Sequence, residues 1–69
     1  MLVDNKLIFI WESGVADVID GNVVNRRYFN NFRVNYNKLV FFNNEIYALN
    51  TNDNNQPIKL IITDNQVTF

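Results

Sequence analysis

Cysteine and histidine, two residue types that carry much of protein chemistry, are absent from this chain of 69 residues. Their absence excludes a disulfide framework, a thiolate nucleophile and an imidazole base, and it removes the nitrogen and sulfur ligands that zinc prefers. The two glycines, Gly14 and Gly21, precede no helical pattern, so they do not form a phosphate-binding loop. We therefore expect no cofactor, no metal and no small-molecule substrate.

Clustered carboxylates are scarce as well, which argues against an enzyme. The only acids close together in the sequence are Glu12, Asp17 and Asp20. A general acid and base must share a cleft, whereas Asp17 and Asp20 fall on opposite faces of one predicted strand. Ser13 has no histidine to activate it. The acids are expected to be solvated charges that keep a strand edge from pairing, and the protein is expected not to be an enzyme.

Long hydrophobic runs are missing too. The longest, Leu7–Trp11, has five residues, which is too short for a secretory signal or a membrane span. We therefore expect a cytoplasmic or otherwise intracellular protein that makes no membrane contact. A chain of this length has room for one hydrophobic core, so residues 1–69 are expected to form a single domain.

Apolar residues make up 48% of the chain and aromatic residues 14%, too many for a disordered segment. Apolar and polar residues alternate with a period of two, and the strong helix former alanine occurs only at Ala16 and Ala48. These features predict an all-β fold: one small antiparallel sheet, or a small partly open barrel, built from about three hairpins.

Strand and turn patterns divide the chain further. The predicted strands are Lys6–Trp11, Val15–Ile19, Val23–Phe29, Asn31–Asn37, Lys38–Phe42, Glu45–Leu49, Ile58–Thr63 and Gln66–Phe69. Turns are predicted at Asp20-Gly21-Asn22, Asn43-Asn44 and Asp64-Asn65, and an exposed loop at 50–57. Residues 23–31 leave two alternatives open, a bulged strand or a short helix, because Val24, Tyr28 and Phe32 are spaced four apart.

One segment resembles a known family. The run Asn44-Glu45-Ile46-Tyr47-Ala48-Leu49-Asn50, followed by a polar turn and Ile58-Lys59-Leu60, is similar to one blade edge of the quinoprotein-type β-propellers, which repeat a Tyr-Ala-Leu-Asp motif. The resemblance covers about a quarter of the chain, and the glycine and tryptophan that follow in that family are absent. It implies only a hairpin at this point.

The leading functional hypothesis is a non-catalytic protein–protein interaction module that self-associates or docks on a larger partner. The apolar content exceeds what so short a chain usually encloses, and open strand ends favour pairing with another chain. A small inhibitor or assembly factor of a virus or mobile element would have these properties. The predicted interface comprises Trp11, Phe42, Tyr47, Val67 and Phe69, together with an outward-facing polar ladder of Asn31, Asn35 and Asn37.

The alternative hypothesis is a small β-barrel that binds single-stranded nucleic acid. Residues 21–40 carry a net charge of +4 between two acidic segments, in a chain whose overall charge is −1. Cations interleaved with aromatic rings are typical of surfaces that track a nucleic-acid backbone and stack its bases. The residues concerned are Arg26, Arg27, Arg33, Lys38, Tyr28 and Tyr36. The competing interpretation is that the rings are core and the arginines pair with acids of the first strands.

Overall fold

A computed structural model describes all 69 residues, which form eight β-strands and no helix. The strands are β1 (Leu2–Val3), β2 (Lys6–Trp11), β3 (Gly14–Ile19), β4 (Asn22–Tyr28), β5 (Val40–Phe42), β6 (Glu45–Asn50), β7 (Gln56–Ile62) and β8 (Val67–Thr68). They pair in chain order into two antiparallel sheets, β1 to β4 (sheet 1) and β5 to β8 (sheet 2). The predicted all-β antiparallel fold is confirmed, and its strands are divided between two sheets.

Two-residue turns close four of the hairpins. In three of them both corner residues have positive φ angles, between 50° and 79°, as a type I′ turn requires: Asp4, Asn5, Asp20, Gly21, Asn43 and Asn44. Asparagine, aspartate and glycine tolerate this left-handed region, which is why these residues stand at the corners. The predicted hairpins at 20–22 and 43–44 are confirmed. The hairpin between β1 and β2 was not predicted, because a two-residue strand is too short to show alternation.

Strand β4 contains a β-bulge, which decides between the two alternatives for residues 23–31. Asp17 of β3 is opposite Val24, whereas Val15 is opposite Arg27, so two residues of β4 oppose Ala16 alone. Asn25, the first of the two, has a φ of 51°. The segment is therefore a bulged strand and not a helix. The extra residue reverses the alternation in the second half of β4.

The predicted amphipathic strand Asn31–Asn37 is wrong, because this segment crosses from one sheet to the other. Only Val34 makes a β-bridge, to Asn50. The Val34 amide donates to the carbonyl oxygen of Glu12 in the β2–β3 turn of sheet 1 (2.9 Å), and the Thr51 amide after β6 donates to the carbonyl oxygen of Arg33 (2.9 Å). The crossing segment thus joins both sheets through backbone hydrogen bonds.

A single small core lies between the two sheets. Its buried apolar side chains come from both sheets and from the crossing segment: Ile8, Val15, Phe32, Val34, Ile46, Ala48, Ile58, Leu60 and Val67. In total 14 of the 69 residues are buried. A chain with so small a core has little surplus stability, because burial barely exceeds the entropy lost on ordering the chain.

The corner at Gly21 offers a direct test of the turn chemistry. Its φ is +79°, and a Cβ atom there would meet nothing within 4 Å, so only backbone strain opposes a side chain. We expect Gly21→Ala to lower the free energy of unfolding by about 1 kcal/mol, whereas Gly21→Asn should be nearly neutral because asparagine tolerates left-handed φ. Urea denaturation measures both. Equal losses for the two variants would contradict the type I′ assignment.

Candidate functional site

The face of sheet 1 that points away from the core is almost entirely apolar. Ile8 and Val15 point into the core, so strand alternation places their neighbours on the opposite side. The residues paired with them across the strands then point to the same side, which assigns the residues of β1 and β4 as well. We call this surface the sheet-1 outer face; its residues are Leu2, Leu7, Phe9, Trp11, Gly14, Ala16, Val18, Val23, Arg26 and Tyr28.

Three aromatic rings form a cluster on the sheet-1 outer face, at the end of the sheet next to the β2–β3 turn. Phe9 stacks on Trp11 with 5.8 Å between ring centroids, and Trp11 meets Tyr28 edge-on at 5.7 Å. Trp11 belongs to β2 and Tyr28 to β4, so their rings meet across the intervening strand β3. Such contacts fix the rings relative to one another.

Gly14 makes this cluster possible. It lies opposite both Trp11 and Tyr28, and a Cβ atom on it would lie 2.6 Å from the Trp11 ring and 2.6 Å from the Arg27 carbonyl oxygen. Only glycine therefore lets the indole lie directly over the backbone of β3. Ala16, the next outward residue of β3, is fully buried although it is not part of the core.

The rings nevertheless remain accessible to solvent. Phe9 is 50% exposed and Tyr28 is 64% exposed, and the flanking Leu2, Leu7 and Val23 are exposed as well. Isolated exposed apolar residues are common on protein surfaces, but a contiguous group of this kind marks a site of interaction. Sheet 2 packs on the other side of sheet 1, and Tyr36 of the crossing segment lies beside Phe9 and Trp11.

The outer face of sheet 2 has a different character. It carries Phe42 and Tyr47, which were predicted interface residues, so they lie on the opposite side of the molecule from Trp11. Lys59, paired with Tyr47, forms a 2.9 Å ion pair with Glu45 on the same face. The hydrogen bond from Lys59 lowers the pKa of Glu45 and raises that of Lys59. Charge thus interrupts this apolar surface.

The other predicted interface residues do not form a joint surface. Val67 is 2% exposed and belongs to the core. Phe69 is exposed but packs edge-on against Phe32, at 4.9 Å between centroids. The expected ladder of Asn31, Asn35 and Asn37 is absent, because the Asn35 side chain accepts a hydrogen bond from the Asn37 amide in a local turn (3.0 Å).

Three of the four cations of the nucleic-acid hypothesis are exposed and one is buried. Arg27 is buried between the sheets, and Arg26, Arg33 and Lys38 remain exposed. Tyr28 and Tyr36 are both exposed, as that hypothesis requires. Arg33 and Tyr28 line one open groove together with Asn31 and Ser13. One of the four predicted phosphate contacts is therefore lost to the interior.

A polar cluster built around the buried pair of Asp17 and Arg27 lies where sheet 1 meets the β7–β8 turn. Arg27 donates through Nη2 to Asp17 Oδ1 (2.9 Å), and Asn25 donates through Nδ2 to Asp17 Oδ2 (3.3 Å). Lys6 lies 3.7 Å from Asp17 and donates to Asp64 Oδ1 (3.0 Å). The hydrogen bond from Arg27 lowers the pKa of Asp17 against the opposing effect of burial. The pairing of an arginine with an acid of the first strands is confirmed here.

Comparisons with protein-family models, with curated proteins and with solved structures find no match to this chain. The resemblance of residues 44–60 to a propeller blade corresponds in the structure to the β6–β7 hairpin. No group of three or more acidic side chains is placed to hold a metal ion. No helix in the structure has the length and apolar character needed to cross a membrane.

Removal of Asp17 alone should destabilise the protein, because Arg27 would remain buried without its counterion. We expect Asp17→Asn to lower the free energy of unfolding by about 3 kcal/mol, because it leaves a buried guanidinium without its counterion. Glu45→Gln, which breaks an exposed pair, should change little. The double variant Asp17→Asn with Arg27→Met should recover much of the loss, since two further nitrogens of Arg27 have no partner in the chain. A double variant as unstable as Asp17→Asn in urea denaturation would contradict this role.

The same carboxylate predicts a dependence on pH. The folded-state pKa of Asp17 lies below its ordinary value of 3.8, so its contribution is complete above that pH and is lost as the pH falls toward the folded value. The difference in unfolding free energy between wild type and Asp17→Asn should therefore be constant above this range and shrink below it. Urea denaturation at a series of pH values measures the difference, and a constant difference down to low pH would refute the prediction.

Proposed function

We propose that this protein is a non-catalytic protein-binding module and that the sheet-1 outer face is its binding surface. The observation that carries the proposal is the aromatic cluster in which a partly buried Trp11 is flanked by the exposed rings of Phe9 and Tyr28. Tryptophan and tyrosine are enriched among the residues that dominate binding energy, and they concentrate near the centre of interfaces. Here both residue types occur together on one apolar face, at the end next to the β2–β3 turn.

The rings are arranged for binding before a partner arrives. Trp11 lies on the backbone at Gly14 and is flanked by Phe9 and Tyr28, so its orientation is set by contacts within the chain. A side chain that is already ordered loses little conformational entropy on association, which favours affinity. Rings whose only role was to pack against β3 would have no reason to keep half of their surface exposed.

Charge on the surface favours a protein partner over a nucleic acid. Arg26, on the edge strand β4, is the only charged residue of the sheet-1 outer face, so a partner would meet mainly apolar surface. A single-stranded nucleic acid would have the three exposed cations available, which corresponds to a salt slope of only about −2 on a log–log plot. Binding of that kind would be weak in a protein of net charge −1.

Site-specific photocrosslinking tests the proposal. A photoreactive phenylalanine analogue replaces Phe9 in one variant and Phe42, on the opposite side of the molecule, in the matched control. In an extract of the source organism we expect protein adducts at position 9 and few at position 42, and Tyr28→Ser in the same chain should reduce them. Adducts with any protein count, including another copy of the chain.

Three outcomes would overturn the proposal. If nuclease digestion removes the adducts, the crosslinked partner is a nucleic acid, and the alternative hypothesis is correct. Equal yields at positions 9 and 42 would show that neither face is specific. Absence of adducts at both positions would show that the aromatic cluster does not bind a macromolecule.

A further inference from the structure

We infer that the partner of the sheet-1 outer face is a second copy of this chain, packed face to face about a two-fold axis. The inference rests on the proposed function and names its partner. Four properties of the face support it: its composition on both sides of β2, its area, its distribution of charge and its flatness.

Strand β2 is apolar on both faces. Leu7–Trp11 is an unbroken run of five apolar residues, and only Ile8 and Ile10 point toward the core. A strand of this composition is typical of sheets that are covered on both sides. In one copy of the chain, sheet 2 covers the inner side alone. A second layer is therefore missing on the side of Phe9 and Trp11.

The exposed apolar area of the face is close to the apolar share of a stable dimer interface. Its five exposed apolar residues are Leu2, Leu7, Phe9, Val23 and Tyr28. Together they present about 500 Å², roughly a tenth of the 4762 Å² surface of the chain. A stable interface buries about 800 Å² on each partner, with an apolar centre and a polar rim. The apolar residues supply that centre, and the strand ends around them supply the rim.

The near absence of charge on the sheet-1 outer face allows two copies of it to pack together. A two-fold axis places the same patch on both sides of the interface, so a charged patch would repel its copy. The only cation of the sheet-1 outer face, Arg26, is on the edge strand β4, where its long side chain can keep the guanidinium in water. On the outer face of sheet 2 the same arrangement would bury the Glu45–Lys59 pair, at a cost in desolvation.

The face is also flat enough for sheet-on-sheet packing. The Trp11 ring lies against the backbone at Gly14 rather than projecting from the sheet, and Ala16 adds no ridge on the central strand. The chain already packs one sheet on another through alternate apolar residues, and stacked sheets of this type lie about 10 Å apart. A dimer would extend this stack from two layers to four.

Sedimentation equilibrium of the purified chain tests the inference. At about 100 µM we expect twice the chain mass of 8.1 kDa. Tyr28→Glu and Phe9→Glu should each raise the dimer dissociation constant at least about tenfold, because a carboxylate would be buried against its own copy. Phe42→Glu is the matched control, since Phe42 is 65% exposed on the other outer face and Tyr28 is 64% exposed. Circular dichroism checks that each variant is folded.

Fluorescence of Trp11, the only tryptophan, gives a second readout that needs no substitution. On dilution through the dissociation range, its emission should move to longer wavelength and acrylamide quenching should increase. A folded 8.1 kDa monomer at about 100 µM would overturn the inference. So would a dimer that Phe42→Glu dissociates and Tyr28→Glu does not. If the chain is monomeric while protein adducts still form at position 9, the partner is a different protein and the proposed function stands; if the adducts also fail, both are wrong.

Discussion

Strand β3 is buried on both sides, although only one of its sides faces the interior between the sheets. Every residue from Gly14 to Asp17 is buried. On the inner side Val15 packs in the core and Asp17 neutralises Arg27. On the outer side the residues are the smallest available, and rings from the neighbouring strands close over them. One side of the Trp11 ring therefore packs on the sheet, while part of the ring remains accessible to solvent.

The β-bulge at Asn25 determines which residues of β4 point to each side of sheet 1. Val24 faces inward opposite Asp17, so uninterrupted alternation would turn Arg26 inward and direct Tyr28 toward the core. The extra residue instead brings Arg27 to Asp17 and turns Tyr28 outward to Trp11. A single irregularity thus selects which arginine is buried and completes the aromatic cluster. The ion pair within the sheet packing and the candidate binding surface have the same structural cause.

Turns and most strands of this fold were predictable because their signals are local. Asn-Asn and Asp-Gly corners and the bounds of β2 follow from residue type and period alone. The division into two sheets was not predictable, because the crossing segment buries Phe32 and Val34 with the same period as a strand while its hydrogen bonds go to distant partners. For the candidate site, Trp11 and Tyr28 were both singled out, but under different hypotheses. In a run apolar on both sides, such as Leu7–Trp11, no residue type indicates which side faces outward.

The pairing order of the strands has a consequence for biosynthesis. Each strand hydrogen-bonds only to strands adjacent to it in the chain, so neither sheet waits for a distant segment before it forms. Sheet 1 is complete at Tyr28, when more than half of the chain has still to leave the ribosome. At that stage the apolar residues on both of its sides are uncovered. The nascent polypeptide is then most prone to aggregate, and the arrival of the second sheet covers only one of the two sides.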